Sequence, residues 1–158
     1  MSVIRIATSL SLALVFLAAP ALAAEGAQTN LQILRDSIRA NKKALVAVNL
    51  TLSDQEAQQF WPVYDRYQKD LAPIQDRFLK VLDDYTSHYR ELTDEKAMKI
   101  AEDYLAIEAD RARLRQSYLP EFAKVLSGKK VARFYQIENK MDAVLRYDLA
   151  GTIPVVEE

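Results

Sequence analysis

From Asp54 to Glu91 the chain offers one uninterrupted helical pattern. Phe60, Tyr64, Tyr67, Leu71, Ile74, Phe78, Val81, Tyr85 and His88 return by fours and threes, a heptad seam sustained for about four heptads. A strand, with its period of two, cannot use such a pattern. If helical throughout, the segment measures about 55 Å at about 1.5 Å per residue. A compact globule of this chain's size is only about 36 Å across, so the spacing predicts an elongated molecule. A second pattern, from Asp94 to Leu126, places Ala97, Ile100, Tyr104, Ile107, Arg111, Leu114, Tyr118 and Val125 on one stripe. The link between the two is very short, which predicts an antiparallel helical hairpin.

Three similar stretches mark where helices begin. "LSDQE" starts at Leu52, "LTDEK" at Leu92 and "LSGKK" at Leu126. Ser and Thr at an N-cap accept hydrogen bonds from the free backbone N–H groups of the first turn. Ser53 with Glu56 forms a capping box, and Asp94 and Glu95 suit the helix dipole. Helices are therefore expected from Ser53, Thr93 and Ser127, with an earlier one over 31–48 capped by Asn30. The last helix carries Val131, Phe134, Ile137 or Glu138, Met141, Leu145 and Leu149. The expectation is an all-α fold of four helices, two of them long and bent, with an irregular tail over 151–158.

Two prolines interrupt the first long pattern, although an interior proline costs a helix about 3 kcal/mol relative to alanine. At about 100° per residue, Pro62 and Pro73 fall on the side opposite the seam, and Pro120 does the same on the next helix. A proline bends a helix convex on its own side, so the three together fit a shallow cradle curving toward the apolar faces. They equally fit residues that simply avoid the packed side.

The ends and the composition bound the setting. Residues 1–23 read as a signal peptide: Arg5 in a short basic lead, an apolar run from Leu10 to Ala19, and Ala21-Leu22-Ala23 before a cleavage expected after Ala23 or Ala24. That implies export to the periplasm and leaves about 134 residues, one domain's worth, with the helices in 24–150. There is no cysteine, so an exported chain of this kind holds together by packing or by oligomerisation. Basic and acidic side chains number 21 and 22, which gives no pull toward nucleic acid.

The seam is rich in tyrosine where a dry coiled coil prefers leucine or isoleucine, at Tyr64, Tyr67, Tyr85, Tyr104 and Tyr118. A tyrosine adds apolar area with a hydroxyl that wants water or a partner. Arg111 lies in the second stripe and Arg115 at its margin, so carboxylates must pair them or solvent must reach them. Each tyrosine alone fits an ordinary core; the set reads as a partly exposed, adaptable surface.

An exported, cysteine-free, all-helical chain with repeated L-[ST]-x-x-polar caps resembles the Spy and CpxP type, the LTXXQ-motif family of bacterial periplasmic proteins. The residues that carry the resemblance are Leu52-Ser53-Asp54-Gln55-Glu56 and Leu92-Thr93-Asp94-Glu95-Lys96. The first has Ser for Thr and Glu for Gln, and the second has Lys for Gln. The resemblance implies a cradle-shaped homodimer of helical hairpins. It also implies ATP-independent chaperone work, or envelope-stress and metal sensing. On that reading Phe60, Tyr64, Tyr67, Leu71, Ile74 and Phe78 hold unfolded or partly folded periplasmic clients from one helix. Tyr104, Leu114 and Tyr118 do so from the other, while Arg111 and Arg115 attract acidic client stretches.

No nucleophile motif or phosphate-cradling glycine loop is present, so neither an enzyme nor a cofactor is expected. The alternative is a metal- or stress-responsive regulator that docks on a membrane sensor. Asp84, His88 and Glu91 stand at i, i+4 and i+7, so a continuous helix would present carboxylate, imidazole and carboxylate on one face. The same residues also fit a histidine paired with a carboxylate.

Overall fold

The computed structural model describes residues 41–151 and 153–156, apart from the side chain of Asp148. The chain divides between Asn41 and Lys42, and the helices, core and grooves described below belong to the second unit, Lys42–Glu158. The expected signal peptide, its cleavage at Ala23 or Ala24 and the Asn30 cap lie outside the described residues. Within them the fold is all-α. Helix α1 is described over 41–49. It precedes α2 (Asp54–His88), a 3₁₀ turn (Tyr89–Glu91), α3 (Asp94–Val125) and α4 (Gly128–Ala150). None of these helices is long and apolar enough to cross a membrane.

The three expected helix starts are all present. Ser53 Oγ accepts from the Glu56 amide at 3.3 Å, and the Glu56 carboxylate accepts from the Ser53 amide at 2.8 Å, completing the capping box. Thr93 Oγ1 accepts from the Lys96 amide at 3.3 Å. Ser127 is an N-cap by backbone conformation, with no bond from its side chain. Helix α2 runs 35 residues through both prolines. Pro62, Pro73 and Pro120 are all exposed, as are Gln58, Lys69 and Gln116 four residues before them. Each carbonyl that loses its helical N–H therefore lies on the solvent side, where water can replace the lost donor.

The long helical run is made of two pieces. At His88 the backbone leaves helical geometry (φ −127°, ψ 5°), and the 3₁₀ turn carries the chain to Leu92. Helix α3 then returns antiparallel to α2: Tyr118 reaches Asp70, Arg77 reaches Asp110, and Phe78 faces Tyr104 with ring centroids 6.3 Å apart.

The core lies at the end of the hairpin away from this turn. There Phe60 of α2, Phe122 of α3 and Phe134 of α4 meet with centroids 4.5–5.6 Å apart. Tyr64, Tyr67, Leu71 and Ile74 extend the core along α2, and Val46 and Leu50 join it from the N-terminal side of α2. Such offset and edge-on aromatic contacts add about 0.5–1.5 kcal/mol each to the effect of burial. The Phe60–Ile74 part of the α2 seam is thus covered by α3 and α4 of its own chain, and Tyr64 and Tyr67 are interior rather than on an open face.

Candidate functional site

The residues expected to meet clients separate into two groups. Phe60, Tyr64, Tyr67, Leu71 and Ile74 are buried in the core. In this closed arrangement they present no surface to another chain. Leu114 and Tyr118 pack at the margin of that core. The Tyr118 hydroxyl donates to Asp70 Oδ2 at 2.6 Å; burial, then this carboxylate, push its pKa up to about 12. Phe78 and Tyr104 lie further along, in a groove at the turn end.

Arg111 and Arg115 are not free to attract acidic clients. Asp142 of α4 pairs with both, 3.5 Å from Arg111 Nη1 and 3.0 Å from Arg115 Nη2. Lys42 of α1 completes the layer, 3.8 Å from Asp142 Oδ1 and 3.5 Å from Glu138 Oε2. The Glu138 side chain is 0 % exposed, and its Oε1 has no hydrogen-bond partner among the described residues. Burial pushes the Glu138 carboxyl up; Lys42 opposes that and Asp142 adds to it. Tyr67 lies beside Arg115 without good hydrogen-bond geometry, and burial raises its hydroxyl well above the usual range.

The sequence shows only half of this ionic layer. It places two arginines in the α3 stripe and leaves their answering acids unidentified. Glu138 and Asp142 stand four apart on the inward face of α4, so a matched pair of polar interruptions is the available signal. Of the expected alternatives Ile137 and Glu138, it is Glu138 that is fully buried, and Ile137 packs at the core's edge.

The expected metal ligands do not assemble. His88 Nδ1 lies 2.9 Å from the Asp84 carbonyl and 3.4 Å from Asp84 Oδ1. Glu91 sits in the 3₁₀ turn, past the point where helical phase is lost, so the i+7 relation does not carry to it. Among the described residues no three potential ligands come together to hold a metal ion. His88 and Asp84 instead line a cleft of about 460 Å³ that mixes the charged side chains of Arg77, Lys80, Asp83 and Asp103 with Val81, Ala106 and Ile107.

A second, apolar groove of about 460 Å³ lies at the turn end. Its walls are Phe78, Val81, Leu82 and Tyr85 from α2, and Ala97, Ile100, Ala101 and Tyr104 from α3. The end of α4 and the tail residues Ile153 and Val156 close it further. The local sequence explains the space. On α3 the groove wall includes Ala97 and Ala101, whose side chains are too short to fill the gap between helices, and Ile107 is the first buried residue of that helix. At the rim Arg146 Nη2 donates to both oxygens of the Glu108 carboxylate, at 2.7 and 2.8 Å, and its Nη1 donates to Tyr104 Oη at 3.2 Å. This clamp holds the end of α4 to α3 and leaves the groove walls apolar. Nearby on α3, Met98 is 61 % and Leu105 66 % exposed.

Searches of family models, of curated proteins and of solved structures returned no match to this chain.

Proposed function

We propose that the chain is an exported, periplasmic holding protein that binds apolar segments of unfolded polypeptides without nucleotide, at the turn-end groove. The observation that carries this reading is the groove itself: an apolar site large enough for several side chains, left open by alanines on α3 and rimmed by the Arg146–Glu108 pair. Pockets of about 300–1,000 Å³ with mostly apolar walls are the usual form of a binding site. The resemblance of the Leu52–Glu56 and Leu92–Lys96 caps to the LTXXQ family agrees with this function. The contact surface differs from the one expected from the seam. Phe78 and Tyr104 keep the role, while Phe60, Tyr64, Tyr67, Leu71 and Ile74 form the scaffold that holds the hairpin together.

The test is suppression of aggregation of a chemically unfolded protein, without ATP, by the purified chain and by its Ala101→Glu variant. Ala101 lines the groove yet is exposed, so the substitution places a carboxylate on the groove wall without opening the core. Suppression by the native chain that is lost in a variant of unchanged helicity supports the proposal. Equal suppression by both removes the groove from the function.

A further inference from the structure

One edge of the groove is itself a segment of polypeptide: the chain leaves α4 at Gly151, and Ile153 and Val156 of its tail are among the lining residues. Val155 points away and is 85 % exposed. The Tyr85 hydroxyl, on α2, donates to the Pro154 carbonyl at 2.7 Å across 69 positions of sequence. Tyr85 itself is buried at this point.

We infer that the tail is the groove's built-in ligand: the site takes irregular, non-helical peptide segments with branched aliphatic side chains three residues apart and a backbone carbonyl facing Tyr85. Such segments bind in exchange with Ile153–Val156. This inference rests on the groove reading above and names its ligand class.

Three features support it. First, the hydrogen bond from Tyr85 goes to a main-chain carbonyl, a group every polypeptide carries, so it grips a segment whatever its side chains are. Second, the groove keeps about 460 Å³ free with the tail seated, which leaves room for side chains larger than Ile153 and Val156. Third, among the described residues the tail is lightly held. Beyond the Tyr85 bond, the Ile153 amide donates to the Leu149 carbonyl at 3.0 Å, and Ile153 and Pro154 are only half-buried. A lightly held occupant lowers the apparent affinity for a competitor by the fraction of time it is seated. It also keeps the apolar walls from being fully bare when no client is present.

The experiment uses the full chain and a fluorescein-labelled peptide of the tail's own sequence, GTIPVVEE, with binding read by fluorescence anisotropy. In the Ile153→Asp, Val156→Asp variant the chain's own tail no longer competes, and the peptide should bind about tenfold tighter than to the native chain, as expected if the tail is seated about nine-tenths of the time. Adding Tyr85→Phe to that variant should weaken the peptide about fivefold, the effect of one lost neutral hydrogen bond. Equal peptide affinity for native and tail variant overturns the inference, and so does a Tyr85→Phe change without effect. If the native chain suppresses aggregation and only Ala101→Glu abolishes it, while the peptide result is negative, the groove function stands and the tail's role falls.

Discussion

Lys42→Met tests the ionic layer of the core most sharply. In the native chain the Lys42 ammonium lies 3.5 Å from Glu138 Oε2 and its side chain is 11 % exposed, against 0 % for Glu138. Removing one partner of a buried pair costs about 3–5 kcal/mol, because the other charge is left without compensation. Here Arg115 still acts on Glu138, Met refills the lysine stem, and the carboxyl can take up a proton. We therefore expect a loss of about 2–3 kcal/mol near pH 8. The sign of the pH dependence comes from Glu138. Its folded carboxyl sits above the ordinary value because of burial, so between the unfolded and folded values the folded chain binds more protons. Stability then rises as pH falls through that window. Without Lys42 the folded value climbs further and the window widens upward. The penalty of Lys42→Met should thus be largest near pH 8 and should shrink toward about pH 5, as Glu138 becomes protonated in the folded variant. The assay is urea unfolding monitored by circular dichroism at both pH values, with Lys42→Met, Glu138→Leu as the partner measurement. The double variant should recover most of the loss near pH 8, since it buries no lone carboxylate. A penalty independent of pH, or a double variant as weak as the single one, would refute this account of the layer.

The packing has other measurable consequences. Phe134→Ala removes a fully buried ring that meets Phe60, Tyr64, Tyr67 and Phe122. It should cost about 3–5 kcal/mol, a fall of roughly 15 °C in thermal midpoint for a unit of this size; a shift of a few degrees would mean that the aromatic cluster is not the core. Ser53→Ala breaks one half of the capping box and should cost about 1 kcal/mol in urea unfolding. Pro73→Ala should instead stabilise by about 1–2 kcal/mol: α2 regains a hydrogen bond to the exposed Lys69 carbonyl, partly offset by the freer unfolded chain. A loss of stability there would mean that the proline geometry is needed for packing.

Much of the scaffold is legible in the sequence, and the reasons are local. The Ser53 and Thr93 caps act on amides three residues away, and the fours-and-threes spacing of the α2 seam fixes one face without reference to the rest of the chain. Periodicity defines a face but does not say what covers it. The cover over Tyr64 and Tyr67 comes from Phe122 and Phe134, far along the sequence, so the spacing alone does not separate these two interior tyrosines from Tyr104, which is exposed. The Asp84, His88, Glu91 spacing fails for a related reason: it presumes helical phase through His88, where the helix ends. The Arg111 and Arg115 interruptions correctly demand partners, and Asp142 supplies them from another helix. The groove depends on small residues at Ala97 and Ala101 meeting a tail more than fifty positions away, a conjunction that no local pattern announces.

The central claim is that clients touch the groove walls and leave the packed seam closed. It is tested most directly by placing a photoreactive residue at Ala101, on the groove wall, or at Gln116, exposed on the same helix near Pro120, and mixing each with an unfolded client. The account predicts client cross-links from position 101 and essentially none from position 116. Equal labelling from both positions, or labelling from 116 alone, would contradict it.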